Sequence, residues 1–177
     1  MAEAKFEDLF RQYLEELYDA EKQIVEALPK MIAASSSEEL ARALQDHLGE
    51  TKEQVTRLDN IFELIGEQPS GRECEGMKGL LREGENVIAR MSKSPVLDAA
   101  IAAAAQKVEH YEISAYSTAR AIAEMLGQES IADLLLETLE EERAADDTLS
   151  EVVDNILTGD SLGDEGDEEE EEEEESV

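Results

Sequence analysis

Residues 101–126 read IAAAAQKVEHYEISAYSTARAIAEML. On a helix of about 3.6 residues per turn, Ile101, Ala105, Val108, Ala115, Ala119 and Ile122 align as one apolar stripe. Glu112 falls in the middle of that stripe and Glu109 at its edge. Burying an ionised carboxylate among apolar side chains is strongly unfavourable unless something compensates the charge. The stretch predicts a long core helix carrying an acid that needs a reason to be there.

The same periodicity extends in both directions. KSPVLD supplies a helix start, with Ser94 as N-cap, Pro95 at the first helical position and Asp98 near the positive end of the dipole. Gly127 ends this helix. Another runs over about 129–157, with Ile131, Leu135, Leu139, Leu149, Val152 and Ile156 on its apolar face. Upstream, a first helix over about 4–33 carries Phe6, Phe10, Tyr13, Leu17, Ile24 and Leu28 on one face, and Pro29 bends it near its end. Ser36, with Glu39 three residues on, reads as the N-cap of a second. That helix spans about 37–65 through Leu40, Leu44, Val55, Leu58 and Phe62, and stops at Gly66.

The loop GEQPSGREC then leads into a shorter amphipathic segment over about 74–91, with Met77, Leu80, Leu81, Val87, Ile88 and Met91 on its apolar side. There is no strand pattern. Short turns make the first two long helices, and the last two, antiparallel hairpins, and residues 66–94 are enough to cross the bundle. The expected fold is all-α: a ferritin-like four-helix bundle with one long crossover carrying a short fifth helix.

Composition narrows the function classes. The 177 residues include one cysteine, Cys74, which excludes an internal disulfide framework and reads as structural. No apolar run approaches the roughly 20 residues that cross a bilayer. The N-terminal MAEAKFEDLF lacks the basic and apolar regions of a signal peptide, so a cytoplasmic location is expected. A net charge of -31 argues against nucleic acid or an anionic membrane as partner. Twelve of the acids lie in 160–175 with no base among them, which divides the chain into a bundle over 1–158 and a disordered acidic tail over 159–177. The first 159 residues still carry about -19, the surface habit of proteins from a high-salt, halophilic cytoplasm.

Glu112 is not alone on a face meant for apolar residues. Glu21 lies between Leu17 and Ile24, and His47 shares the face of Leu40, Leu44 and Leu58 with Glu50 at its edge. Glu142 sits at the centre of the face of Leu135, Leu139 and Leu149, and Asp146 follows one turn later. A single buried acid is usually matched to an arginine. Here all four long helices carry one roughly midway along, while Lys22, Arg57, Lys107 and Arg143 fall on or near outward faces. Glu21, His47, Glu50, Glu109, Glu112, Glu142 and Asp146 are accordingly the candidate metal ligands. Oxygen ligands with a little imidazole suit iron or manganese, mono- or dinuclear, and less selectively zinc. His110 falls opposite Glu112 on the wheel and reads as a surface, crossover or dimer contact. Tyr116, one turn after Glu112, is positioned to hydrogen-bond a ligand carboxylate.

Four blocks, LYDAEKQIVEALPKM, HLGETKEQVTRLD, AAQKVEHYEISAY and LLLETLEEERAAD, resemble the stress-associated YciF-type family (DUF892) of the ferritin-like superfamily, over about residues 6–157. The resemblance implies a five-helix ferritin-like fold and a homodimer; it brings no established activity. Superfamily di-iron members take single glutamates from two helices and Glu-x-x-His from the other two. By position, Glu21 and Glu112 resemble the single glutamates, His47 with Glu50 the second-helix pair, and Glu142 with Asp146 the last-helix pair. The chain departs from the pattern: the second helix reads His47-x-x-Glu50, and Ala145 stands where the final histidine would be. The leading expectation is a stress-response protein with a core metal site acting on a small oxidant such as peroxide or oxygen. The alternative is a dimeric structural protein that keeps a polar core without metal. Whether it is an enzyme stays open.

Overall fold

A computed structural model describes residues 5–69 and 72–159. It contains five helices: α1 (Phe6–Ala34), α2 (Glu38–Ile65), α3 (Glu75–Arg90), α4 (Pro95–Met125) and α5 (Glu129–Thr158), and no strand among the described residues. The acidic stretch from residue 160 lies outside them.

Helix ends follow local chemistry. Gly66 takes a left-handed conformation, φ 73°, which lets α2 stop and returns its amide to the Glu63 carbonyl. Ser94 caps α4 by accepting the Leu97 N–H, with Pro95 opening the helix as expected. The cap of α2 is Ser37, not Ser36: Ser37 accepts the Leu40 N–H at 3.2 Å. Ser36 is turned instead toward Asp98, whose buried carboxylate accepts from the Ser36 N–H (2.7 Å), the Ser36 hydroxyl and the Ser37 N–H (3.0 Å). Asp98 therefore does more than complement a helix dipole. It ties the start of α4 to the α1–α2 turn.

That tie sets the directions. α1 runs toward the turn, α2 and α4 run away from it, and α5 returns, with Asn155 near its end donating to Glu39 near the start of α2. Two antiparallel hairpins joined by one crossover are the ferritin-like arrangement. The crossover helix α3 packs on α1 and α4, fastened by Lys30–Glu85 and Lys107–Glu83. Cys74 anchors its start: the N–H donates to Asp19 at 2.7 Å, and the sulfur lies 2.9 Å from the Tyr111 hydroxyl. A side chain at Gly76 would come within 2.8 Å of the Tyr111 ring, so only glycine lets α3 sit this close to α4.

The apolar core is divided in two. One cluster, nearer the α1–α2 turn, contains Ile24, Leu28, Leu40, Leu44, Ile101 and Val152. The other contains Phe10, Leu14, Leu58, Phe62, Ile122 and Leu135. Between them each long helix turns polar: Glu21 on α1, His47, Thr51 and Gln54 on α2, Glu109 and Glu112 on α4, and Glu142 on α5 are all buried.

Candidate metal centre

One ligand atom from each of His47, Glu109, Glu112 and Glu142 lies within 4.8 Å of the other three. The helical repeat explains how residues of three helices meet: each sits in its helix's apolar stripe or at its edge, midway along the helix, in helices packed side by side. Glu21 extends the group. Its carboxylate accepts the Tyr116 hydroxyl and adjoins Glu112. The His47 Nε2 stands 3.4 Å from Glu109, without the alignment of a hydrogen bond.

The layer is short of partners. Glu21 Oε2, both His47 nitrogens, Gln54 Oε1, Glu109 Oε2, both Glu112 oxygens and Glu142 Oε2 are buried with no hydrogen bond. Leaving such groups unpaired is costly, and far more so when they are charged. Three of the carboxyl groups are shifted toward their protonated form. Burial first, then the Glu142 charge, pushes Glu21 well above the ordinary carboxylate range. Burial and the contact with Glu142 do the same to Glu109, and burial with the charges of Glu21 and Glu142 to Glu112. Burial next to Glu21 also raises the Tyr116 hydroxyl. Three carboxylates and an imidazole make a donor set that fits a divalent transition ion, whose ligand atoms stand about 2.0–2.2 Å away. A small contraction of the present spread suffices.

The structure does not bring every candidate together. Glu50, with its side chain 48% exposed, lies outside the buried group, its Oε2 3.7 Å from the outer nitrogen of His47. Asp146 is partly buried and turned to α4, 3.0 Å from His110 and 3.4 Å from Gln106. His110 is an exposed interhelical contact, in line with its place on the wheel. Lys22, Lys107 and Arg143 are exposed, as expected, but Arg57 is not. It is 9% exposed and lies against α5, where it donates to Thr138 at 2.7 Å and to both oxygens of Glu141 at 2.9 Å. A long side chain can start at the edge of a helix and run along the neighbouring one, which a helical wheel does not register.

Gln54 was not among the sequence candidates. It donates to Glu142 and, at 3.0 Å, to Glu141, so it joins the carboxylate layer to the Arg57 network. Its signal was present: Thr51 and Gln54 lie four and seven residues after His47, on the same helical face. Tyr116 donates to Glu21, one of the candidate carboxylates, while Tyr18 stacks edge-on against Phe62.

Fold and site together define a ferritin-like helical bundle with a buried carboxylate–imidazole group at its waist. The chain belongs to the DUF892 family, a domain of unknown function, whose model matches residues 5–161. It is 45% identical over 150 residues to Protein YciF of Escherichia coli K12, spanning 84% of this chain and 90% of that protein. The crystal structure of that E. coli stress protein superposes with a TM-score of 0.85 at 43% identity, over 88% of this chain and 99% of the other. YcfI of Rhodopseudomonas palustris superposes at 0.81 with 44% identity, over 83% and 94%. A Xanthomonas campestris protein, XCC3681, shares the fold at 18% identity and a TM-score of 0.68, over 89% and 97%. Among the described residues no helix is long and apolar enough to cross a membrane.

Proposed function

We propose that this chain is a stress-associated, ferritin-like protein that binds one or two iron or manganese ions in its core, with zinc as a competitor. The observation that carries this reading is the set of buried, unpartnered donor atoms on His47, Glu109, Glu112 and Glu142, with no lysine or arginine among the described residues paired to any of them. Four carboxylates, counting Glu21, balance two divalent cations, and a smaller number suffices for one. Iron or manganese held there would supply electron transfer to a small oxidant such as peroxide or oxygen. The protein's own part is to hold and to exclude. Tyr116 fixes Glu21 and Gln54 fixes Glu142, while the apolar clusters on either side keep bulk water out.

Elemental analysis of protein purified with its native metals tests this directly, followed by peroxide consumption with and without chelator. Bound iron or manganese and chelator-sensitive consumption are expected. Absence of metal, with no affinity for Fe2+ or Mn2+, rejects the reading.

A second reading has its own support. The carboxyl groups of Glu21, Glu109 and Glu112 are shifted by burial toward the protonated form, in which they can hydrogen-bond one another. YcfI of R. palustris is itself described as a proposed structural protein. In that case Glu112→Gln leaves stability unchanged or improved and chelators change nothing. Self-association, implied by the family resemblance, fits exposed Phe6, Leu9, Leu64 and Met125, all at helix ends away from the α1–α2 turn. Size-exclusion chromatography in molar salt distinguishes a dimer from a monomer.

A further inference from the structure

Of the four core donors, Glu112 and Glu142 have no exposure, Glu109 has 1% and His47 has 6%. His47 is the least buried of the four. Its two nitrogens face opposite ways: Nε2 lies 3.4 Å from the buried Glu109 and Nδ1 lies 3.7 Å from the exposed Glu50. Both are buried and neither makes a hydrogen bond. A buried, unpaired imidazole nitrogen next to a solvated carboxylate offers one nitrogen and one oxygen ligand to a divalent cation that enters from the Glu50 side. A second such pair lies one ring-width further in.

We propose that Glu50 and the outer nitrogen of His47 form a transient capture site through which a divalent cation reaches the buried carboxylates. The inference rests on the metal reading above and assigns Glu50 a place on the route, not in the final ligand set. Glu50 attracts the hydrated ion, and the His47 Nδ1 displaces part of its water. Rotation about the His47 side chain then hands the ion inward to Glu109. Because the capture site is only passed through, it changes the rates of gain and loss by one common factor. The equilibrium constant depends on the end states alone.

The test is stopped-flow mixing of the full-length metal-free protein with Co2+, followed by its d–d absorption, and chelator-driven release of the same ion. Glu50→Gln is expected to slow loading and release alike, about three- to tenfold at low ionic strength, and by less in molar salt, where the charge is screened. Glu53→Gln, an exposed neighbour on α2, removes the same charge away from His47 and is expected to load like the parent. Three results overturn the route. Parental kinetics in Glu50→Gln removes it alone. Weakened equilibrium affinity with an altered Co2+ spectrum makes Glu50 a resident ligand. A parent protein that takes up no Co2+ removes the metal centre, and the route with it.

Discussion

Two polar groups adjoin where α2 meets α5, one within the bundle and one at its edge, and they are solved in opposite ways. In one, Arg57 meets Glu141, Glu137 and Thr138, so each charge and donor finds its counterpart within the chain. In the other, Glu21, Glu109, Glu112 and Glu142 face one another and a single imidazole, and eight donor or acceptor atoms in that layer go unpaired. Gln54 touches both groups. The contrast teaches what burial of charge requires: a partner of opposite sign, retention of the proton, or a cation from outside. Arg57 provides the first for its neighbours. Among the described residues no lysine or arginine provides it for the waist.

The largest effect should come from breaking the self-sufficient group. Arg57→Ala strands Glu141 beside Thr138 and is expected to cost about 2–4 kcal/mol, the figure for a buried pair discounted for the partial exposure of Glu141 and Glu137. Urea unfolding measures it, and the loss should be the same with and without metal. The waist should behave the other way. Adding Mn2+ at about 100 times its Kd should raise stability by about 2.7 kcal/mol, and Glu112→Gln should abolish that gain. A metal-insensitive midpoint in the parent protein would erase the contrast.

The pH dependence sharpens the comparison in sign. Glu21, Glu109 and Glu112 have folded values raised above the ordinary 4.5. A raised carboxyl contributes stability that is complete below the unfolded value and is lost as pH climbs toward the folded one. Metal-free protein is therefore expected to unfold at higher urea at pH 5 than at pH 8. Metal binding requires ionised ligands, so the increment gained from Mn2+ should grow over the same range. Smaller again is Tyr116→Phe, which removes the donor to Glu21 and should cost about 1–2 kcal/mol in metal-free protein. Smallest is His110→Ala, at or below about 0.5 kcal/mol with metal stoichiometry unchanged, because its contact with Asp146 is exposed.

Much of this was legible in the sequence. Stripes such as Ile131, Leu135, Leu139, Leu149 and Val152 placed the helices to within a few residues, and short turns against a long crossover gave the topology. Glu21, His47, Glu112 and Glu142 stood out because each interrupts such a stripe, and all four are buried. What a single helix could not reveal was set by its neighbours. Glu109, at the edge of one stripe, is buried because α4 packs against α1, α3 and α5 at once. Glu50 and Asp146 lie near the same faces as their helix partners, but the next helix leaves them at the rim. The Ser36 and Ser37 roles are decided by Asp98, sixty residues away in the chain, which no local cap motif records.

The most direct measurement is an anomalous difference map from crystals grown with Mn2+ or, without oxygen, with Fe2+. The account expects one or two peaks at the waist, about 2.0–2.2 Å from oxygens of Glu109, Glu112 and Glu142 and from a nitrogen of His47. A waist without any peak at saturating ion, its carboxyl groups hydrogen-bonded to one another, would contradict it.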